Sequence, residues 1–417
     1  MSPRALAKMP LDPNEKQVQA AAAAQSGSGV GGGTGGSSSG GSGVSDRSGK
    51  SKAAFVFDGT FRGWSYSSRP DVRLADLTAV DFLGEGHFGQ VKCVAWAPKD
   101  ADGNVAVAAP DADDSASIHS KNGTRRGLFA LKILERERFE NKVVASGRSE
   151  EYYIFNEREI MIEVDSPFHV KLINTYKSAK NLYMLMEYAP GRSLKDQVDR
   201  KHGLTDEFLA VETGDMSWRG AGARPMSRVK FCTANLVLAL KHLHAKQIMH
   251  RDVKPSNLLI DEQGYLKVCD YGFARWLPLG GRTASIAGTY NYLTPEQCLD
   301  KDYDHSVDLW CLGITIYNMT YGCTPFEAPE GTADWQGVTM DNIQNKPIRF
   351  LDNRKDLPLA GKLLIKSLLR RTESERFGRD LNYDTICSHA WFADVDWDGI
   401  ERRTVVAPWQ PNLEGHP

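Results

Sequence analysis

The spacing of apolar residues changes period along this chain, and that change limits the fold more than any other feature. Val80-Asp81-Phe82-Leu83 leads into a glycine turn, and Gln90-Val91-Lys92-Cys93-Val94-Ala95-Trp96 then alternates polar and apolar, the pattern of a half-buried strand in a hairpin. Phe129-Ala130-Leu131-Lys132-Ile133-Leu134 reads as another strand, apolar except for one lysine. Downstream, Cys232, Leu236, Leu240 and Leu243 recur at helical spacing, and Val307, Leu309, Trp310, Leu312, Ile314, Ile316 and Tyr317 form a run apolar on nearly every side. Such a run marks a helix buried inside a large lobe. Strands first and helices afterwards predict an α+β chain rather than a doubly wound sheet.

With 417 residues, the chain exceeds what one core usually organises, which predicts one two-lobed unit plus tails. Residues 26 to 51 are almost wholly Gly and Ser, a composition that cannot bury enough surface to offset ordering entropy. The expected plan is a disordered tail over 1–53, a flanking segment over 54–78, the main domain over 79–392 with its lobes divided near 188/189, and a short tail over 393–417. Two polar stretches, 97–127 and 203–226, interrupt the pattern and read as surface insertions, with Trp218 the candidate anchor in the second.

The formal charge of −2 removes whole-protein attraction to nucleic acid or anionic membrane, and no apolar run approaches a membrane span. Seven cysteines, an odd number without paired zinc-like spacing or a secretory signal, point to reduced thiols in an intracellular, cytoplasmic setting. Ser2 rather than Gly follows Met1 and no apolar core follows Arg4 and Lys8, which argues against myristoylation and secretion. An organellar transit role stays open beside the plain tail expected there.

The densest chemical signal is His250-Arg251-Asp252-Val253-Lys254-Pro255-Ser256-Asn257, followed by Asp270-Tyr271-Gly272. It sets a base, cations and two hard-metal ligands in one short stretch, which suits phosphoryl transfer from a magnesium nucleotide. Gly84, Gly86 and Gly89 precede a β-branched stretch rather than a helix, which argues against a dinucleotide site. Singly, Asp252 can cap a turn, Lys132 can snorkel from a sheet and Glu157 can sit in a solvated helix pair. Jointly and in order, the parts carry a specific chemistry.

Taken together, these segments resemble protein kinases, and this resemblance implies the roles that follow. Leu83-Gly84-Glu85-Gly86-His87-Phe88-Gly89 with Val91 is similar to the glycine-rich phosphate cover, Val91 packing on adenine with Ala130 and Leu259 among the ATP-contacting residues. Lys132 matches the lysine on the α- and β-phosphates, paired to Glu157, with Glu159 its nearest competitor. Asp252 matches the residue that accepts the substrate hydroxyl's proton, Lys254 adds charge at the transferring phosphoryl group, and Asn257 and Asp270 match the Mg²⁺ ligands. Thr294-Pro295-Glu296, Asp308 and Arg376 complete the pattern. Lys254 with Thr289 resembles serine/threonine rather than tyrosine kinases, and Thr289, Tyr290 and Leu293 fall on the substrate platform.

Asn181-Leu182-Tyr183-Met184-Leu185-Met186-Glu187-Tyr188, Asp270 through Arg275 and His389-Ala390-Trp391-Phe392 resemble the AGC group, nearest to cyclic-nucleotide-dependent kinases, over roughly residues 74 to 413. In that likeness Met186 is the gatekeeper and Glu187 and Ala189 offer hinge backbone to adenine. The implied cofactors are ATP and Mg²⁺. The implied partners are a protein substrate, an upstream activating kinase and, for any cyclic-nucleotide control, a regulatory subunit in trans. The rival reading is a pseudokinase scaffold that binds nucleotide; a small-molecule kinase fits the long activation segment poorly.

Four departures matter. Ser193, Ser256, Asn291 and Asn318 stand where arginine-directed members carry acids, so arginine selection upstream of the target is expected to be weak. The tail after Trp409 lacks the aromatic motif expected to brace the Glu157 helix, and Phe55, Phe57, Phe61, Trp64 and Tyr66 are candidates to fill that groove. Ser285 falls at the activating phosphosite, with Arg251 and Arg275 its expected partners. Tyr271 replaces Phe and adds a hydroxyl that needs a partner; Cys269 beside it is expected to be a buried, inert thiol.

Overall fold

The computed structural model describes residues 63–86, 89–97, 127–140, 142, 149–198, 203–204, 226–285, 287–351, 357–411 and 413. The expected tail over 1–53, most of both insertions, Phe55, Phe57, Phe61, Trp218, His87 and Phe88 lie outside the described residues.

Strands β1 (Leu77–Gly86), β2 (Gly89–Trp96), β3 (Leu128–Glu135), β4 (Leu172–Lys177) and β5 (Asn181–Glu187) form one antiparallel sheet in the order β1-β2-β3-β5-β4. The two-period stretch read from sequence is β2, whose register sets Val91 opposite Lys132 of β3, and β3 in turn sets Ala130 opposite Met186 of β5. Gly89 lies against the β3 backbone: a Cβ there would lie 1.8 Å from the Ile133 carbonyl oxygen, so only glycine fits. β1 begins two residues before the expected boundary at 79 and carries two register shifts, which bend and twist the hairpin.

After β3 come α1 (Arg136–Phe139) and α2 (Glu150–Glu163). The Ser149 side chain accepts from Tyr152 N at the start of α2, an N-cap that satisfies an otherwise orphaned amide. The segment before β1 runs along β4. Thr175 N donates to Tyr66 O and Ser68 N to Ile173 O, and Trp64, fully buried, packs edge-on against Phe155 of α2 at 5.3 Å.

The remaining elements are α3 (Leu194–Gln197), α4 (Arg228–Ala245), β6 (Ile248–Met249), β7 (Leu258–Ile260), β8 (Leu266–Val268), β9 (Arg275–Trp276), α5 (Pro295–Cys298), α6 (Ser306–Tyr321), α7 (Trp335–Asn345), α8 (Leu359–Leu368), α9 (Tyr383–Cys387) and α10 (Trp397–Glu401). Every residue of α6 except Asn318 is buried, as its all-round apolar sequence requires. Two short antiparallel ribbons, β6 with β9 and β7 with β8, lie beneath the sheet and hold the loops that carry the densest chemistry. The segment after α10 packs on the helical lobe at Val405 and Trp409: Tyr265 Oη donates to Val405 O at 2.5 Å, and Arg228 lies 4.5 Å over the Trp409 ring. This is the two-lobed α+β arrangement expected from sequence. No helix among the described residues is long and apolar enough to cross a membrane.

Candidate active site

The loop between β6 and β7 is shaped by one carboxylate from α6. Asp308 is fully buried; its Oδ2 accepts from His250 N and its Oδ1 from Arg251 N, both at 2.8 Å, and His244 Nε2 stands 2.9 Å from Oδ2. Burial alone would raise this carboxyl's pKa, but His244 and the backbone amides hold it below its ordinary value, so Asp308 stays charged. That anchor holds Arg251 at φ +67°, a left-handed conformation a non-glycine residue rarely adopts.

Asp252 follows, almost fully buried. Its Oδ1 accepts the Thr289 hydroxyl at 2.8 Å, and its Oδ2 accepts Asn257 Nδ2 at 3.0 Å and pairs with Lys254 Nζ at 3.0 Å. Lys254 Nζ also donates to Thr289 Oγ1 at 2.8 Å. Asn257 Nδ2 bonds the Asp252 carbonyl too, at 2.9 Å, which commits the amide nitrogen and leaves the amide oxygen for another partner. Two further residues singled out from sequence follow Thr289: Leu293 is buried, and Tyr290 packs edge-on against Trp335 of α7 at 5.5 Å.

Above the loop, Lys132 Nζ donates to Glu157 Oε1 at 2.6 Å. Glu159 pairs instead with Arg158, which decides between the two candidate glutamates. Burial opposes charge on Lys132, yet Glu157 and then Asp270 outweigh it and raise the ammonium's pKa. Asp270, at φ +62° and open to solvent at the cleft, is held below the ordinary carboxyl range: the protein packed around it would raise it, but Lys132 and Lys254 prevail. The Asp270 carboxylate and the Asn257 amide oxygen form an all-oxygen donor pair, the chemistry a hard divalent cation requires.

The walls of the cleft are mixed. Ala130 and Ala189 are buried, Val91, Met186 and Leu259 half-buried, while Leu83 is exposed on β1 and Glu85 pairs with Arg138 at 3.2 Å. A Cβ at Gly84 would meet nothing within 4 Å, leaving that backbone open to close approach. Glu187 N donates to Lys171 O, and its carboxylate pairs with Lys267 at 2.9 Å. Cys269 is half-buried rather than buried as expected; loss of solvent still pushes its thiol far above its ordinary pKa, which makes it a poor nucleophile, and all seven cysteines are free.

Ser285 Oγ accepts from Arg251 Nη1 at 2.8 Å. Its other expected partner points elsewhere: Arg275 Nη1 donates to Thr283 Oγ1 at 2.5 Å. These groups border a polar recess of about 350 Å³ shared with Tyr152, Tyr153 and Asn156 of α2. Asn156 Nδ2 in turn donates to Ala274 O at 2.7 Å, joining α2 to the segment after Asp270-Tyr271-Gly272. Two contributors were not given a role from sequence. Trp335 lies in a stretch with no motif, and His169, in Ser166-Pro167-Phe168-His169-Val170, signals itself only as a histidine inside an otherwise buried strand approach.

Residues 115–392 match the protein kinase domain family; the β1–β2 hairpin precedes that stretch but pairs in the same sheet. The chain is 31% identical over 341 residues to the cGMP-dependent protein kinase, isozyme 1, of Drosophila melanogaster, covering 82% of this chain and 37% of that protein. It is 28% identical over 351 residues to the serine/threonine-protein kinase Sgk1 of Fundulus heteroclitus, covering 84% and 68%, and 27% identical to that of Rattus norvegicus, covering 84% and 67%. The chain thus spans well under half of the first of these relatives and about two thirds of the others. It belongs to the protein kinase family, among the serine/threonine kinases of the AGC group.

Proposed function

We propose that this chain transfers the γ-phosphate of MgATP to serine and threonine hydroxyls of proteins, with Asp252 as the proton acceptor. The observation that carries this is the hydrogen-bonded set at Asp252. A hydroxyl, that of Thr289, already sits 2.8 Å from Oδ1, within the reach a general base needs, and Lys254 stands beside both groups. Lys132, fixed by Glu157, is positioned to hold the α- and β-phosphates, and the Gly84–Gly89 hairpin to cover them. Asn257 and Asp270 would hold Mg²⁺, which when bound supplies charge neutralisation on the phosphates. Asp252 then takes the hydroxyl proton while Lys254 balances charge on the group in transit.

The same reading assigns the domain to 79–392 with the Trp64 segment as an integral brace, Ser285 as the activating phosphosite filled by an upstream kinase, and weak arginine selection through Ser193, Ser256, Asn291 and Asn318. A reduced cytoplasmic compartment suits MgATP and seven free thiols. Regulation by another chain would use surfaces outside this site. The test is radiolabelled ATP with a serine/threonine peptide array: wild type transfers phosphate, and Asp252→Asn loses about 10²- to 10⁴-fold in turnover while keeping nucleotide affinity. Nucleotide binding without transfer, after Ser285 is phosphorylated, would leave the scaffold reading in its place.

A further inference from the structure

The Tyr271 hydroxyl lies at the centre of a fully buried polar chain. His169 and Tyr271 are each 0% exposed. His169 Nδ1 is 2.7 Å from Tyr271 Oη, and its Nε2 is 3.1 Å from the Ala239 carbonyl oxygen on α4. A carbonyl only accepts, so Nε2 carries the proton. Burial, and next the neighbouring His242, drive the His169 pKa well below its ordinary value, so the ring is neutral and Nδ1 presents a lone pair. Tyr271 therefore donates to it; the alternative acceptor, Val268 O, is farther away at 3.3 Å. On its other side the Tyr271 ring meets His250 at 5.4 Å, and His250 Nε2 reaches Cys269 O at 3.2 Å.

We propose that His169 is a positioning residue for the metal motif, pinning Asp270 through the Tyr271 hydroxyl to the Ala239 carbonyl of α4. A phenyl ring at 271 would be held by packing alone. Here the motif cannot swing away without taking the hydroxyl from its acceptor and leaving the buried His169 Nδ1 unpaired, and a single unpaired buried group costs enough to shift an equilibrium by roughly tenfold or more. His169 touches neither nucleotide nor substrate; it acts on Asp270 at one remove. The inference rests on the reading of Asp270 as a Mg²⁺ ligand.

The experiment measures kcat, KM for ATP and the Mg²⁺ midpoint in the full chain carrying His169→Leu, His169→Asn, Tyr271→Phe, the double change His169→Leu with Tyr271→Phe, and Asp270→Asn. His169→Leu should lower kcat about tenfold and raise the Mg²⁺ midpoint severalfold, because the hydroxyl loses its short acceptor and keeps only the longer contact to Val268 O. His169→Asn, whose amide oxygen can accept in place of Nδ1, should stay within about threefold of wild type. Adding Tyr271→Phe to His169→Leu should restore most of the loss, since removing both partners is nearly neutral. A wild-type Mg²⁺ midpoint in His169→Leu, or no repair in the double variant, overturns the proposal. If His169→Leu does not fold, folding and activity regained with Tyr271→Phe support it and their absence overturns it. An unaltered Mg²⁺ response in Asp270→Asn would instead remove the reading of the metal site itself.

Discussion

Trp64 Nε1 donates to Tyr176 O at 2.9 Å while the Trp64 ring packs on Phe155, two residues before Glu157. A residue upstream of the first strand thus joins the sheet edge to the helix that fixes Lys132. Arg158 adds its guanidinium 5.7 Å from the same ring, and Thr175 Oγ1 donates to Trp64 O at 2.5 Å. Groove filling by the aromatic flank, one of the expectations from sequence, acquires a definite candidate.

Trp64→Ala should destabilise the fold by about 3–5 kcal/mol, the usual result of deleting a buried indole. If the ring also braces α2, kcat at a permissive temperature should fall as well, with Trp64→Phe intermediate. Thermal unfolding together with steady-state kinetics checks this. Additivity with Glu157→Gln in a double-mutant cycle would separate simple packing from action through Glu157.

Phosphate on Ser285 would add about −1.5 to −2 charges at neutral pH, facing Arg251 at once and bringing Arg275 within competition from Thr283. Stimulation by an upstream kinase should raise turnover roughly tenfold or more, and Ser285→Ala should abolish the increase without changing the unstimulated rate. Phosphopeptide mapping with paired assays decides it; equal stimulation of Ser285→Ala would move the switch elsewhere.

A positional-scanning peptide library should show little selection for arginine before the target residue. Ser193 is occupied as a helix cap, with Oγ donating to Asp196 Oδ2 at 2.7 Å, and Ser256, Asn291 and Asn318 carry no charge. Introducing Ser256→Glu with Asn318→Glu should create arginine selection, since each charge-assisted pair contributes about 1.5–3 kcal/mol. Strong arginine selection by wild type would refute this account of the platform.

Acid should destabilise the protein before its carboxylates titrate. His169 and His305 are both depressed by burial, His305 to about 4 from an ordinary 6.5. Below that ordinary value the unfolded chain binds protons that the folded chain refuses, so stability falls as pH drops. The slope approaches about 1.4 kcal/mol per pH unit for each such histidine. Asp308 and Asp270 are depressed carboxyls, so their contribution is present above the ordinary carboxyl value and is lost only in stronger acid. Chemical denaturation between pH 7 and 4.5 should show the decline, flattened in His305→Asn; a flat wild-type profile would contradict it.

The reaction class was legible in local strings because the groups proposed for phosphoryl transfer lie at short spacing: Asp252, Lys254, Asn257 and Asp270 are close in sequence, and Lys132 stands out as the one charge in an apolar strand. The order of strands first and helices afterwards was legible because β1 to β3, α4 and α6 carry their apolar patterns in their own residues. What the chain alone left open were choices between neighbours or distant partners. Glu157 rather than Glu159 meets Lys132, Arg275 turns to Thr283, Trp64 finds Phe155, and the Tyr271 hydroxyl finds His169, 102 positions away. These depend on helix rotation and on packing between segments remote in sequence, where a shift of one residue exchanges one side chain for another. The sequence by itself determined which reaction the chain is equipped for; the tertiary structure decided which side chains hold the reacting groups in place.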